Sequence, residues 1–140
     1  MSVSVTITED NGAAYAQTVA IGRHRMKADE PISDGGQDAG PSPFQFVSAG
    51  LGACTAITIR MYTQRHDWPL VRIKVEVVYE KKPSGDSSAM IDHFCRVISL
   101  EGDLTNEQRS RLLQIAEHCP VSEALRRAAT IETALADVTA

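Results

Sequence analysis

The sequence predicts an α+β fold in which antiparallel strands accompany one long central helix. Short alternating segments with a turn signal begin the chain, a capped apolar stretch of helical periodicity follows, and two further alternating segments come next. These patterns indicate strands, a helix and strands, in that order. Strands grouped in sequence on either side of helices are typical of α+β proteins.

Composition and charge limit the class of protein. The chain has 140 residues, 43% of them hydrophobic, and a net charge of −4, which suits one domain. Acidic and basic residues are interspersed, so we expect no nucleic-acid partner. The most apolar stretch, residues 46–59, is too short to cross a bilayer, and the N-terminus lacks a signal-peptide pattern. We therefore expect no membrane association and a cytoplasmic location.

The N-terminal part, residues 1–41, is predicted to be rich in strands. Residues 2–8 alternate apolar and polar side chains and predict a half-buried strand. After an Asp-Asn-Gly turn signal, residues 15–21 and 23–27 predict a second and a third strand. Residues 29–43 are punctuated by Gly and Pro, so no helix or strand is expected there. Such a long loop is either a solvated crossover or functional.

A central helix is predicted at about residues 43–66. Ser42 and Gln45 have the spacing of a capping box, and Pro43 suits the first helical position. Pro69 disfavours a helical residue before it and so ends the helix. Apolar residues recur every three or four positions and predict a buried stripe: Phe44, Val47, Leu51, Cys54, Ile57 and Met61.

The C-terminal part, residues 67–140, is predicted to be α+β, and the whole chain, residues 1–140, is expected to form one domain. A capping box at Thr105 starts a helix, which His118-Cys119-Pro120 closes. The other predicted elements are strands at residues 70–80 and 92–101, a short helix at residues 123–129 and a last strand at residues 131–138.

Cys54 is the first candidate for chemistry. Three cysteines in a chain without an export signal disfavour a disulfide scaffold and leave room for catalytic thiols. Most buried cysteines only fill space, so Cys54 on the apolar stripe is either a packing residue or a reactive thiol. A reactive thiol needs a cation from elsewhere in the chain, and Arg23 and Arg25 are the candidates.

Cys119 and Cys95 lie in different settings. Cys119 precedes Pro120 at a helix end, where the thiol is either partly exposed and paired with His118 or buried in a core gap. Cys95 lies in a predicted strand, and packing is the favoured interpretation. The chain contains no metal-ligand spacing, so we expect no metal and no cofactor.

Several segments together resemble the OsmC/Ohr family, the osmotically induced protein C and organic hydroperoxide resistance proteins. Their order and spacing match the OsmC-like branch over nearly the whole chain. The matching segments are Gly22-Arg23-His24, Asp29-Glu30-Pro31, Gly40-Pro41-Ser42-Pro43, Leu51-Gly52-Ala53-Cys54-Thr55, Arg65-His66-Asp67-Trp68-Pro69 and His118-Cys119-Pro120-Val121.

The resemblance implies an intertwined homodimer whose active sites are built from both subunits, and a thiol-dependent peroxidase. Cys54 is then the peroxidatic thiolate that attacks an organic hydroperoxide or hydrogen peroxide, and Cys119 is the resolving thiol that forms a disulfide with it. A dithiol reductant restores the pair. By the same resemblance, Arg23 holds the thiolate, and the residues Phe44, Gln45 and Phe46 line the substrate pocket.

One departure from the family pattern leaves other functions open. The family pairs its arginine with a glutamate at the helix start, where this chain has Phe44 and Gln45, and neither side chain is ionisable. A second hypothesis is therefore a non-catalytic protein that binds an apolar small molecule in an inter-subunit pocket near Phe44, Phe46 and Cys54. A third is a structural dimer whose stability responds to the disulfide.

Overall fold

The structure is a computed structural model that describes residues 2–86 and 88–136. The chain divides into two compact units. The first unit contains the residues up to Gly52 together with Glu76–Val97, and the second contains Ala53–Val75 together with the residues from Ile98 onward. One long helix and two long strands contribute residues to both units.

A three-stranded antiparallel sheet begins the chain, with β1 (Thr6–Glu9), β2 (Gln17–Ile21) and β3 (His24–Ala28) in that spatial order. Val19 lies opposite Ile7 on one side and opposite Met26 on the other. Val19 is buried, whereas every residue of β1 is exposed. Burial in this sheet is therefore centred on its middle strand.

The first strand differs from the sequence prediction in extent and in burial. Residues 2–5 are not part of it, and the strand starts only at Thr6. Val3, Val5 and Ile7 were predicted to face a core, but their side chains are 88%, 51% and 54% exposed. Alternation in sequence predicts which side chains share a face, but only a packed neighbour buries that face.

The loop after the sheet has more structure than its composition predicts. Residues Ile32–Asp34 form one turn of 3₁₀-helix, where no element was expected. Gly36 and Gly40 allow close backbone approaches, because a Cβ atom would lie 1.9 Å from the Glu30 carbonyl oxygen at the first and 2.2 Å from the Lys27 carbonyl oxygen at the second.

The central helix, α1, spans Pro43–Arg65, in agreement with the predicted range of about 43–66. The Gln45 side-chain oxygen accepts a hydrogen bond from the Ser42 backbone at 2.8 Å, which is one half of the predicted capping box. At the other end, Asp67 adopts a left-handed conformation with φ 53°. Trp68 N donates to the Thr63 carbonyl at 3.0 Å, so a Schellman motif closes the helix before the predicted Pro69 stop.

Two long strands, two helices and an extended end complete the chain. Strands β4 (Leu70–Pro83) and β5 (Met90–Gly102) pair in a two-stranded sheet, and both extend beyond their predicted bounds. The connection between them is too short for a parallel crossover, so the pair is an antiparallel hairpin. Helix α2 (Asn106–Glu117) starts at the predicted Thr105 capping box, and α3 spans Pro120–Arg126.

Two predictions for the C-terminal part are wrong. Helix α3 was expected at residues 123–129 with Ser122 as its cap, but it starts at Pro120 and buries Ser122. Proline at the first helical position was the overlooked signal. The last strand was expected at residues 131–138, but 131–136 are not a strand, and 137–138 lie outside the described residues. Ile131 is 88% exposed, and neither sheet of the described chain includes this segment.

The core of the second unit joins residues from α1, β4, α2 and the loop that precedes α2. Ile59, Leu70, Leu104, Leu112 and Ala116 form one buried cluster. Full burial of an isoleucine or leucine side chain stabilises the fold by about 1.5–3 kcal/mol. Partly buried side chains packed against this cluster are Tyr62, Trp68, Ile73, Ile98 and Leu100.

Candidate functional site

Cys54 lies in the middle of α1 and is partly buried. The stripe predicted to be buried is wrong as a whole, because four of its six residues are exposed: Phe44, Val47, Ile57 and Met61. The buried face of the helix instead carries Leu51, Thr55, Ile59 and Thr63. Cys54 lies beyond the first helical turn, to which the helix dipole effect is largely confined. The neighbouring Thr55 is fully buried. The helix therefore places a partly accessible thiol directly beside a buried hydroxyl group.

Cys119 is fully buried where α2 ends and α3 begins. It is the N-cap residue of α3, with extended backbone angles, and its carbonyl accepts a hydrogen bond from Glu123 N at 3.0 Å. Its own backbone N–H donates to the Ala116 carbonyl at 3.3 Å. Of the two sequence interpretations, a partly exposed thiol or a thiol in the core, the structure shows the second.

The structure brings Cys119 to the helix that carries Cys54. The Cys119 Sγ atom lies 3.8 Å from Thr55 Oγ1, and Thr55 is the residue next to Cys54. Both cysteines and Thr55 belong to the second unit. Cys54 and Cys119 are both thiols rather than halves of a disulfide.

The charged groups near the α2–α3 junction interact with each other. His118 Nδ1 lies 3.1 Å from Glu123 Oε1, and Arg127 also bonds Glu123 at 3.0 Å. These two partners, His118 first, hold the pKa of the Glu123 carboxyl below its ordinary value. The predicted pairing of His118 with the Cys119 thiol is thus replaced by a carboxylate contact. Arg126 bonds both the backbone carbonyl and the carboxylate of Glu117.

Arg23 lies in the turn between β2 and β3 and is exposed. Arg25, the other predicted cation, donates through its guanidinium to the carbonyls of Gly22 at 2.7 Å and His24 at 3.0 Å. Both arginines belong to the first unit, whereas Cys54 belongs to the second. The assignment of Arg23 to the thiolate therefore stays a prediction.

The predicted pocket residues at the start of α1 have three different environments. The Phe44 ring stacks on Tyr79, with centroids 4.2 Å apart and 5° between the planes. Tyr79 also lies 5.0 Å from the Phe94 ring. Gln45 uses its side-chain oxygen in the helix cap. Phe46 lines a cavity of about 590 Å³, together with Met26 of β3.

Sequence reasoning missed the environment of Tyr79. Its hydroxyl group donates a hydrogen bond to Asp92, which also pairs with Lys81 at 3.5 Å. The hydrogen bond to Asp92 raises the pKa of Tyr79 to about 12, because the phenol would lose its donated proton on ionisation. The alternation of β4 identified Tyr79 as a strand residue, but no local signal indicated its aromatic partners.

Cys95 differs from its expected packing role. It lies on β5 and is exposed. Its neighbours alternate between exposed and half-buried, so its face of the strand is the outward one within the described chain. This position makes Cys95 a suitable control for reactions of the other two thiols.

No group of three or more His, Cys, Asp or Glu side chains among the described residues is arranged to hold a metal ion. No helix within the same residues is both long and apolar enough to cross a membrane.

The helix-and-hairpin fold and the paired cysteine motifs define a class of small α+β proteins with two thiols near one central helix. The chain belongs to the OsmC-like protein family, whose model matches residues 35–134. Among curated proteins, no sequence matches this chain significantly.

Solved structures confirm the fold. An OsmC-like protein of Mycoplasma pneumoniae is 11% identical to this chain, with a TM-score of 0.74. The superposition covers 90% of this chain and 88% of that protein's chain. An organic hydroperoxide resistance protein OsmC of Legionella pneumophila is 19% identical, with a TM-score of 0.66 and coverages of 88% and 89%. The organic hydroperoxide resistance protein OhrB of Bacillus subtilis is 19% identical, with a TM-score of 0.63 and coverages of 90% and 91%. At these identities the likeness establishes the α+β fold.

Proposed function

We propose that this protein is a cysteine-dependent peroxidase that reduces organic hydroperoxides or hydrogen peroxide. The observation that carries the proposal is the contact between Thr55 and Cys119, which brings the second cysteine to the residue next to Cys54. Two thiols on neighbouring elements, one partly accessible and one buried, suit the roles of peroxidatic and resolving cysteine. The names of the hydroperoxide resistance proteins that share this fold support the same chemistry.

The proposed cycle balances with a peroxide and a dithiol. The Cys54 thiolate attacks one peroxide oxygen, the O–O bond breaks, and the leaving oxygen is protonated to an alcohol or water while Cys54 becomes a sulfenic acid. The Cys119 thiolate attacks the Cys54 sulfur, an S–S bond forms, and the sulfenic oxygen leaves as hydroxide and is protonated to water. A dithiol then reduces the disulfide and is itself oxidised. A cytoplasmic location, where thiols are kept reduced, fits this cycle.

The start of α1 suggests how this site departs from the family pattern. Phe44 stacks on Tyr79, and Gln45 is engaged in the helix cap. An arginine that holds the thiolate would therefore find no carboxylate at these positions. We propose that Arg23 contacts the thiolate without such a carboxylate partner.

A homodimer is part of the proposal. An exposed stripe follows one face of α1 and consists of small or apolar residues: Gly50, Ala53, Ile57 and Met61. A Cβ atom added at Gly50 would meet nothing within 4 Å, so a second helix has room to approach there. Exposed apolar faces of this kind are typical of protein–protein contacts.

Peroxide consumption in cysteine variants tests the proposed function. Cys54→Ser is expected to abolish consumption of cumene hydroperoxide with a dithiol as reductant, because serine cannot accept the peroxide oxygen. Cys95→Ser is the matched control and is expected to consume peroxide at the wild-type rate. Wild-type turnover by Cys54→Ser, measured on protein with an unchanged circular dichroism spectrum, would contradict the proposal.

The alternative is a non-catalytic binding protein, and the cavity lined by Phe46 favours it. Its volume of about 590 Å³ lies in the range of small-molecule sites. In this case no variant consumes peroxide, while titration calorimetry with cumyl alcohol shows saturable binding that Phe46→Ala weakens. Peroxide turnover that depends on Cys54 would exclude this alternative.

A further inference from the structure

Thr55 and Cys119 form a buried polar contact between α1 and the α2–α3 junction. Both residues have 0% relative exposure, and their Oγ1 and Sγ atoms are 3.8 Å apart. The residues are 64 positions apart in sequence, so only the packing of the second unit brings them together. The contact lies on α1 immediately beside the Cys54 position.

The Thr55 hydroxyl can form a hydrogen bond with Cys119 in both the thiol and the thiolate form. A hydroxyl group can accept a hydrogen bond from a thiol and, after rotation, donate one to a thiolate. A thiolate in a buried site is unfavourable unless a donor compensates for its lost hydration. Cys119 is buried and must react as a thiolate to resolve a sulfenic acid. A donor close to its sulfur would therefore lower the free energy of the reactive form.

We propose that Thr55 is a positioning residue for Cys119: its hydroxyl holds the Cys119 sulfur beside α1 and donates a hydrogen bond to it when the thiolate attacks Cys54. The inference rests on the proposed function and adds a residue to it. In the step concerned, the S–S bond forms, the S–O bond of the Cys54 sulfenic acid breaks, and the departing hydroxide takes a proton to become water. Thr55 exchanges no atom with either cysteine.

Local geometry explains why the residue after Cys54 can serve this purpose. Successive residues of an α-helix are rotated by about 100° and rise by about 1.5 Å. Cys54 therefore points to a partly exposed side of α1 while Thr55 points to the buried side, where Cys119 lies. One turn of helix presents the peroxide-reactive thiol to the outside and the positioning hydroxyl to the inside.

An exchange reaction that needs no peroxide tests the role of Thr55. In a Cys95→Ser background, an aromatic disulfide reagent places a nitrothiobenzoate group on the accessible Cys54. Labelling releases one equivalent of the coloured nitrothiobenzoate thiolate. Attack by Cys119 then forms the Cys54–Cys119 disulfide and releases a second equivalent, whose absorbance gives the rate. Cys119→Ser is the negative control and should release the first equivalent but not the second.

Two substitutions at Thr55 separate the hydroxyl from its packing. Thr55→Val keeps the shape and removes the hydroxyl, and should slow release by about tenfold, which corresponds to one lost hydrogen bond to a thiolate. Thr55→Ser keeps the hydroxyl and removes a methyl group, and should release at nearly the parent rate. Should the valine variant fold poorly, Thr55→Ala compared with Thr55→Ser changes only the hydroxyl.

The opposite pattern would overturn the inference. Equal release by the valine and parent proteins, or slow release by the serine variant alone, would assign Thr55 a packing role only. The same proteins treated with cumene hydroperoxide keep the two claims apart. If peroxide leaves Cys54 unoxidised while the valine variant still slows exchange, the proposed function fails and the role of Thr55 remains.

Discussion

The carboxylate of Asp29 organises the loop that precedes the central helix. It is almost fully buried, at 3% exposure. One oxygen accepts from the Glu30 backbone at 2.8 Å, and the other accepts from Gln37 and Ala39 at 3.1 Å each. These hydrogen bonds hold the pKa of the Asp29 carboxyl below its ordinary value, and the bond from Ala39 lowers the pKa most. A single charged side chain thus satisfies three backbone donors of one loop.

Substitution of this carboxylate should destabilise the protein. In Asp29→Asn, an amide NH₂ group replaces one oxygen and faces a backbone N–H donor, so at least one hydrogen bond is lost. We expect the thermal unfolding midpoint to fall by several degrees at neutral pH. Because the native pKa is depressed, the contribution of Asp29 is complete above the unfolded-state pKa of about 4 and is lost as the pH falls below it.

The pH dependence separates this effect from a general loss of stability. The difference in midpoint between wild type and Asp29→Asn should be constant above about pH 5 and shrink below pH 4. Asp38→Asn is the matched control, because Asp38 is exposed and its φ of 54° suits asparagine. An unchanged midpoint in Asp29→Asn, or a difference that grows in acid, would contradict this account.

Individual site residues were predictable to different degrees. The helical spacing predicted α1 itself and the partial burial of Cys54, because helix periodicity is a local property. It placed the buried face wrongly, since Ile57 of the same stripe is 55% exposed. The sequence left the burial of Cys119 open, since a helix end is exposed or buried according to what packs against it. The aromatic partners of Phe44 come from distant strands, so the stack on Tyr79 had no local signal.

At the scale of elements, helix ends follow local chemistry and strand burial does not. The Thr105 capping box forms both of its predicted hydrogen bonds. At the end of α1, Asp67 is left-handed, and the Trp68 and Tyr62 rings lie 5.3 Å apart between centroids. Both features belong to a Schellman motif, which closes the helix near the predicted end. By contrast, β1 shows alternation without burial, because burial depends on neighbours that the strand's own sequence does not contain.

The exposed stripe of α1 predicts the assembly state. Ile57→Glu places a carboxylate on this stripe, where burial against a second copy would desolvate it. We expect the variant to sediment as a monomer at concentrations where the wild type is a dimer, with a dissociation constant raised at least about tenfold. Leu113→Glu is the control, because Leu113 on α2 is similarly exposed, at 53% against 55%. A monomeric wild type, or equal dimerisation of both variants, would contradict the role of this face.

At the scale of the whole molecule, the sequence predicted the fold class and the order of most elements, including the helix at the centre of the chain. These depend on periodicity, capping and turn residues, which are local. Three features were predicted wrongly. The start of β1 and the absence of a strand at residues 131–136 depend on tertiary partners. The first residue of α3 depends on which of two candidate start signals is used. The family model matches residues 35–134, which include the central helix and both cysteine motifs.

A count of thiols before and after peroxide tests the central claim most directly. One equivalent of cumene hydroperoxide is added to the wild type and to Cys119→Ser, and intact mass with free-thiol labelling counts the thiols that remain. The account predicts that the wild type loses the Cys54 and Cys119 thiols as one disulfide, whereas Cys119→Ser accumulates a sulfenic acid on Cys54 that a selective reagent traps. Survival of all three wild-type thiols would contradict the peroxidase cycle and leave the binding function as the account of this fold.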